Sequence, residues 1–211
     1  MSTDPQLQEL LAHPSVWRGR SRAAVATLST GFAALDAGLP GGGWPRHGLV
    51  EILTPRPGVG ELYLLLPALA ALSQATPARW CAWISPPYEP YAPALESHGV
   101  ALDRLLIVRA APSAVAWSFE QALRSGACGM ALAWLPRASP RAIRRLQLAA
   151  EQGRSLGVLF RDRQAARQAS PAMLRVSLEP ETGRHGARLS LIKSRGGSRA
   201  PVELTWTAAA A

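Results

Sequence analysis

Residues 54–66, TPRPGVGELYLLL, carry two closely spaced glycines between an apolar run, GLVEIL, and a stretch with helical apolar spacing. Strand, glycine-bearing turn and helix is the setting in which backbone N–H groups cradle phosphate. A lysine then neutralises the β- and γ-phosphates, and a Ser or Thr hydroxyl holds magnesium. Aligned on Gly60, the lysine position is Glu61 and the hydroxyl position is Leu62. A carboxylate repels phosphate, and leucine has no oxygen to offer a metal. Pro55, where the first glycine of such a loop would fall, lacks a backbone donor as well. The chemistry also needs an acid at the end of a neighbouring strand to hold the metal, yet GMALAWLP closes on Trp134 and Leu135. Nucleotide binding is therefore not expected at Pro55, Gly60, Glu61 and Leu62, and the stretch reads as a dismantled loop.

Other side chains suggest little chemistry. Cys81 and Cys128 sit in short apolar segments, as buried thiols do, and not in metal-ligand spacing. His13, His47, His98 and His185 likewise lack such spacing, so neither metal nor cofactor is expected. Basic residues number 23 against 14 acids, for a net charge of +9, and Lys193 is the lone lysine. Such a surface attracts anions, whether nucleic acid or an acidic protein. The amino terminus lacks an apolar leader, and the longest apolar run is too short to span a bilayer and is broken by Pro67. A cytoplasmic protein with no membrane association is the expectation.

These residues must be positioned by elements that the pattern makes legible. Residues 4–12 predict a short helix, with Asp4 as cap and Pro5 in its first turn. A basic link holding Trp17 follows, then a segment in which Ser29 or Thr30 caps a short helix carrying Phe32 and Leu35. From residue 48 onward, apolar strands at 48–53, 79–84, 104–109, 129–134 and 156–160 alternate with helical patterns at 61–74, 88–98, 114–125 and 139–152. Such alternation predicts a mostly parallel sheet with helices on both faces. After residue 170, short alternating runs at 173–178, 187–193 and 202–206 predict antiparallel strands at the carboxy-terminal end. The expected organisation is an amino-terminal helix and linker over 1–27, an α/β core over 28–170, and carboxy-terminal strands with a basic tail over 171–211.

LSTGFAALDAGLPGGGWPRHGLVEI, RWCAWI, HGVALDRLLIV, ALRSGACGMALAW and ARLSLIKSRGG resemble segments of the RecA core, in the same order. That resemblance implies a RecA-like fold over roughly residues 28–206. It also marks a third loss, because the catalytic carboxylate would follow the 79–84 strand, where Ser85, Pro86 and Pro87 stand and Glu89 comes two residues too late. Two families look like RecA without its chemistry, and residues 48–160 resemble both. The upstream STGFAALDAGLPGGG and downstream RLSLIKSRGG segments resemble ImuA. This implies a non-catalytic accessory protein of SOS-induced translesion DNA synthesis, bridging ImuB and an error-prone C-family polymerase and contacting RecA or DNA. The alternative resemblance is to SulA, the SOS cell division inhibitor that acts on FtsZ. A DNA-binding module and a residual ATPase are further alternatives.

Arg161, Arg163 and Arg167 occupy the segment where RecA carries its second DNA-contacting loop, and they read either as phosphate contacts or as a solvated arginine-rich loop. Lys193, Arg195 and Arg199 form a second basic stretch, read as a DNA or partner contact or as a solubilising turn. Trp134, standing where an acid is expected, is placed to fill the vacated crevice. Trp17 and Trp206 are either partner anchors or edge packing.

Overall fold

A computed structural model describes residues 26–181, 186–194 and 200–206. The expected helix at 4–12, Trp17, Arg195 and Arg199 lie outside the described residues. The central element is β3 (Gly48–Thr54), buried along its whole length. Around it an eight-stranded sheet runs in the order β10-β9-β8-β3-β7-β6-β4-β5. Its strands are β4 (Trp80–Ile84), β5 (Leu105–Val108), β6 (Cys128–Trp134), β7 (Leu156–Asp162), β8 (Leu174–Pro180), β9 (Gly186–Lys193) and β10 (Val202–Thr205). A two-stranded antiparallel ribbon, β1 (Thr27–Leu28) with β2 (Trp44–Pro45), precedes it.

Pairing is parallel from β5 across to β8 and antiparallel between β8 and β9 and between β9 and β10. The RecA-like, mostly parallel sheet expected from the sequence is thereby corrected to a mixed sheet. The physical reason is where β8 goes. It hydrogen-bonds directly to the central strand, Val50 to Leu174 through Leu53 to Ser177, so the antiparallel strands build out one whole side of the sheet.

Alternating side chains divide the core in two. Val50, Ile52, Cys81, Trp83, Met130, Leu132, Val158 and Phe160 face one layer, which contains helix α1 (Ala33–Gly38) and helix α2 (Leu66–Ser73). Short α3 (Ala92–Ser97) adds Leu95 to the same layer. Leu49, Ala82, Ala131 and Leu159 face the other, which is covered by α4 (Val115–Arg124) and α5 (Pro140–Gln152). Trp80, odd in spacing to Trp83, points away from it and is exposed.

Helix α5 starts where the sequence signals: Ser139 Oγ accepts the Ala142 N–H at 3.2 Å, and Pro140 occupies the first turn. Its buried Gln147 reaches across to β3, where Oε1 accepts the Leu49 N–H and the Met173 N–H, each at 3.0 Å. Helix α2 differs from expectation. Residues 61–65 form successive tight turns, and regular helix begins only at Leu66. Pro67 explains the late start, since its ring would clash with the carbonyl four residues earlier if the helix ran through it.

Candidate functional site

The loop after β3 folds around its own glutamate. Glu61 is buried; its Oε1 accepts the Gly58 N–H and its Oε2 the Val59 N–H, both at 2.9 Å. Two successive N–H groups of a glycine turn are what such a loop would otherwise present to an anion. Here the anion is built into the chain. Gly58 and Gly60 have φ of +78° and +93°, the left-handed region that admits glycine freely. Gly60 is held to its identity by packing as well, because a Cβ there would lie 2.4 Å from the Trp206 ring. Trp206 stacks on Tyr63 with ring centroids 5.5 Å apart and planes 2° apart, and so closes the loop from the carboxy-terminal side. Of its two sequence readings, edge packing is the one observed. Pro55 is half-buried at the loop's start and Leu62 packs against the core.

Trp134 stands at the end of β6. It stacks on Phe160 at 4.7 Å and lies 6.0 Å from Trp83. Together with Glu61, Leu62 and the proline-rich connection after β4, it walls a cleft of about 260 Å³. The indole therefore forms one side of the crevice without filling it. The lip of the cleft is aromatic: Tyr88 is 65% and Tyr91 71% exposed, with Pro87 and Pro90 between and beside them. Glu89 points outward and pairs with Arg109. The tyrosines were not singled out from the sequence, although two aromatics spaced among four prolines at 86–93 signal a stiff, exposed presentation.

The basic candidates are scattered by the fold. Arg161 is interior: its side chain is 2% exposed and Nη1 donates to Glu51 at 2.7 Å. Glu51, completely buried, also receives Nε of Arg175 at 2.5 Å, so two arginines on β7 and β8 share one carboxylate on the strand between them. A direct phosphate contact by Arg161 would have to break this arrangement. Glu51 itself was missed in the sequence. A carboxylate in the middle of GLVEILT was the signal, since such a group enters a core only with cationic partners. Arg163 and Arg167 are exposed on the 3-10 turn Arg163–Arg167, whose amino end is capped by Asp162 Oδ1 accepting the Gln164 N–H at 2.7 Å. Lys193 Nζ donates to the carbonyls of Ser170 and Ala172 at 2.6 and 2.8 Å, pinning that connection to β9.

The geometry defines a mixed α/β protein whose strand-to-helix loop is sealed by an internal carboxylate and whose neighbouring cleft carries exposed tyrosines. The family model described as "Cell division inhibitor SulA" matches residues 50–157. Cell division inhibitor SulA of Edwardsiella piscicida is 35% identical over 117 residues, covering 55% of this chain and 69% of that protein. SulA of Photorhabdus laumondii subsp. laumondii is 33% identical over 116 residues, with 54% and 64% covered. The crystal structure of SulA from Pseudomonas aeruginosa superposes with a TM-score of 0.45 at 29% identity, over 53% of this chain and 96% of that one. The chain belongs to the SulA cell division inhibitor family.

Membership corrects the ImuA reading, and with it the RecA-like assignment, the translesion role and the ImuB, RecA and C-family polymerase partners. The segments common to both resemblances, RWCAWI and ALRSGACGMALAW, lie inside the matched span. The two that favoured ImuA, STGFAALDAGLPGGG and RLSLIKSRGG, lie outside it. Among the described residues, no helix is long and apolar enough to cross a membrane.

Proposed function

We propose that this protein is an SOS-induced inhibitor of cell division that acts in the cytoplasm, by binding FtsZ and not by catalysis. The observation that carries the reading is the family match across residues 50–157, which takes in the sealed loop, the cleft and its tyrosine lip. The loop geometry supports a binding role. With Glu61 accepting the Gly58 and Val59 N–H groups, a nucleotide phosphate would meet a carboxylate where it needs donors. Tyr88 and Tyr91 are the side chains we assign to the partner contact, since exposed tyrosines beside an apolar cleft lose much water-facing area at little entropic cost. Exposed Arg163 and Arg167 add a positive field that steers an acidic partner surface.

Purified protein mixed with FtsZ and GTP tests this directly. Light scattering is expected to show FtsZ assembly suppressed at near-stoichiometric ratios, with no requirement for ATP. Undisturbed assembly at several-fold excess, with no FtsZ retained on the immobilised protein, would sink the proposal.

A further inference from the structure

Three hollows, of about 540, 710 and 770 Å³, adjoin one another past the carboxyl ends of β6 and β7 and alongside β8. Gln168 lines all three; Ala138 and Ser139 are common to the first and second, and Gln164 to the first and third. Together they form one groove along the connection from β7 to β8. Four exposed arginines stand on it: Arg137 in the first hollow, Arg144 in the second, Arg163 and Arg167 in the third. Among the described residues none of the four has a carboxylate within ion-pair distance, whereas Arg104, Arg109, Arg124, Arg145 and Arg188 each have one. Arg161 takes no part, because its head is spent on Glu51, the Ala138 carbonyl and Gln168. The groove is therefore built for an anionic occupant.

The rest of the wall decides which anion fits. None of the residues lining the three hollows is aromatic, so the bases of a single-stranded nucleic acid would find no stacking platform. Asp162 and Glu179 interrupt the positive field and would repel a chain that carries a charge at every step. A peptide whose carboxylates are separated by neutral residues avoids both penalties. The hollow beside Arg144 is walled by Ala138, Pro140, Ala169 and Pro171, which suits a small aliphatic side chain. The exposed side-chain amides of Gln164 and Gln168 offer donors and acceptors to a peptide main chain.

We propose that this groove docks an extended acidic segment of a partner protein, its carboxylates set on Arg137 and Arg144 towards α5 and on Arg163 and Arg167 along the 3-10 turn. Arg163 and Arg167 then hold the partner after their field has steered it in. A free peptide in place of the partner tests the groove separately from the FtsZ reading.

The full chain is titrated into a fluorescein-labelled peptide in which glutamates alternate with alanine and glycine, and binding is read as fluorescence anisotropy. Saturation with a midpoint below about 100 μM is expected, with no response from the same peptide carrying glutamine for glutamate. The double variants Arg137→Ala with Arg144→Ala and Arg163→Ala with Arg167→Ala should each weaken binding about tenfold. Their urea midpoints should match the parent, since all four side chains are exposed. Arg46, exposed just ahead of β3 and so at the opposite end of the sheet, is the control, and Arg46→Ala should bind like the parent. The proposal is overturned if no saturation is reached by about 1 mM, or if Arg46→Ala weakens binding as much as the groove variants do. Tighter binding of a thymidine oligonucleotide of equal length would overturn it too, by assigning the basic surface to nucleic acid.

Discussion

Glu61 changes meaning once its bonds are seen. As a sequence feature it is a lysine lost; in the molecule it is an anion gained, bonded to the Gly58 and Val59 N–H groups. Glu61→Ala should leave the buried Val59 N–H unpaired and cost about 1–3 kcal/mol, read from urea denaturation. Glu61→Lys should restore no ATP binding by calorimetry, because Leu62 still lacks a hydroxyl. A larger penalty belongs to Glu51. Glu51→Gln strands two buried guanidinium groups and should cost about 3–5 kcal/mol by the same measurement. Burial pushes the Cys81 thiol from the ordinary 9.0 up to about 12, with Cys128 adding to the rise. Above pH 9 the unfolded chain sheds a proton that the folded chain keeps, so this thiol lowers stability as pH climbs from 9 towards 12 and leaves it unaffected below 9. The fall in urea midpoint over that window should therefore be shallower in Cys81→Ala. Residue-scale chemistry was only half legible in advance: the absence of a phosphate lysine could be read off GELYLLL, whereas the new use of the carboxylate required the positions of two backbone N–H groups.

At the scale of elements, periodicity located the strands well because β3, β4, β6 and β7 are buried on both faces along most of their length and read as continuous apolar runs. Helix α5 was equally plain, since Ser139 and Pro140 announce its start. Helix α2 starts later than the apolar spacing at 61–65 suggests, and only Pro67 marks where regular helix can begin. The Tyr88–Tyr91 connection likewise has helical spacing, although α3 begins at Ala92. Close approach between elements left no trace in periodicity. Gly153, directly after α5, sits so near α4 that a Cβ would lie 1.9 Å from the Leu123 carbonyl oxygen. Gly153→Ala should push α4 and α5 apart and lower stability by about 1–3 kcal/mol, with the largest gain in hydrogen exchange across the end of α4.

For the whole molecule, the family was visible only as one of two resemblances, because the stretch both shared is the stretch that defines the core. The segments that resemble ImuA alone lie outside residues 50–157, where spacing is a weak guide to family. The partner surface has its own test: the double variant Tyr88→Ala, Tyr91→Ala should fold normally, since both rings are exposed, yet lose about tenfold in affinity for FtsZ. Retained affinity would move the contact elsewhere on the sheet. Salt should slow association while leaving dissociation nearly constant if Arg163 and Arg167 only steer the encounter.

The sheet order has a consequence for how the chain is made. The central strand is made well before the arginines that neutralise Glu51, which follow 110 and 124 residues later. Until they emerge, a carboxylate sits in the middle of the central strand with neither arginine to pair it, which discourages premature collapse around that strand. Folding must then close long loops late, so its completion should be slow. A newly made copy should therefore stay open to proteases until Arg161 and Arg175 have both been added.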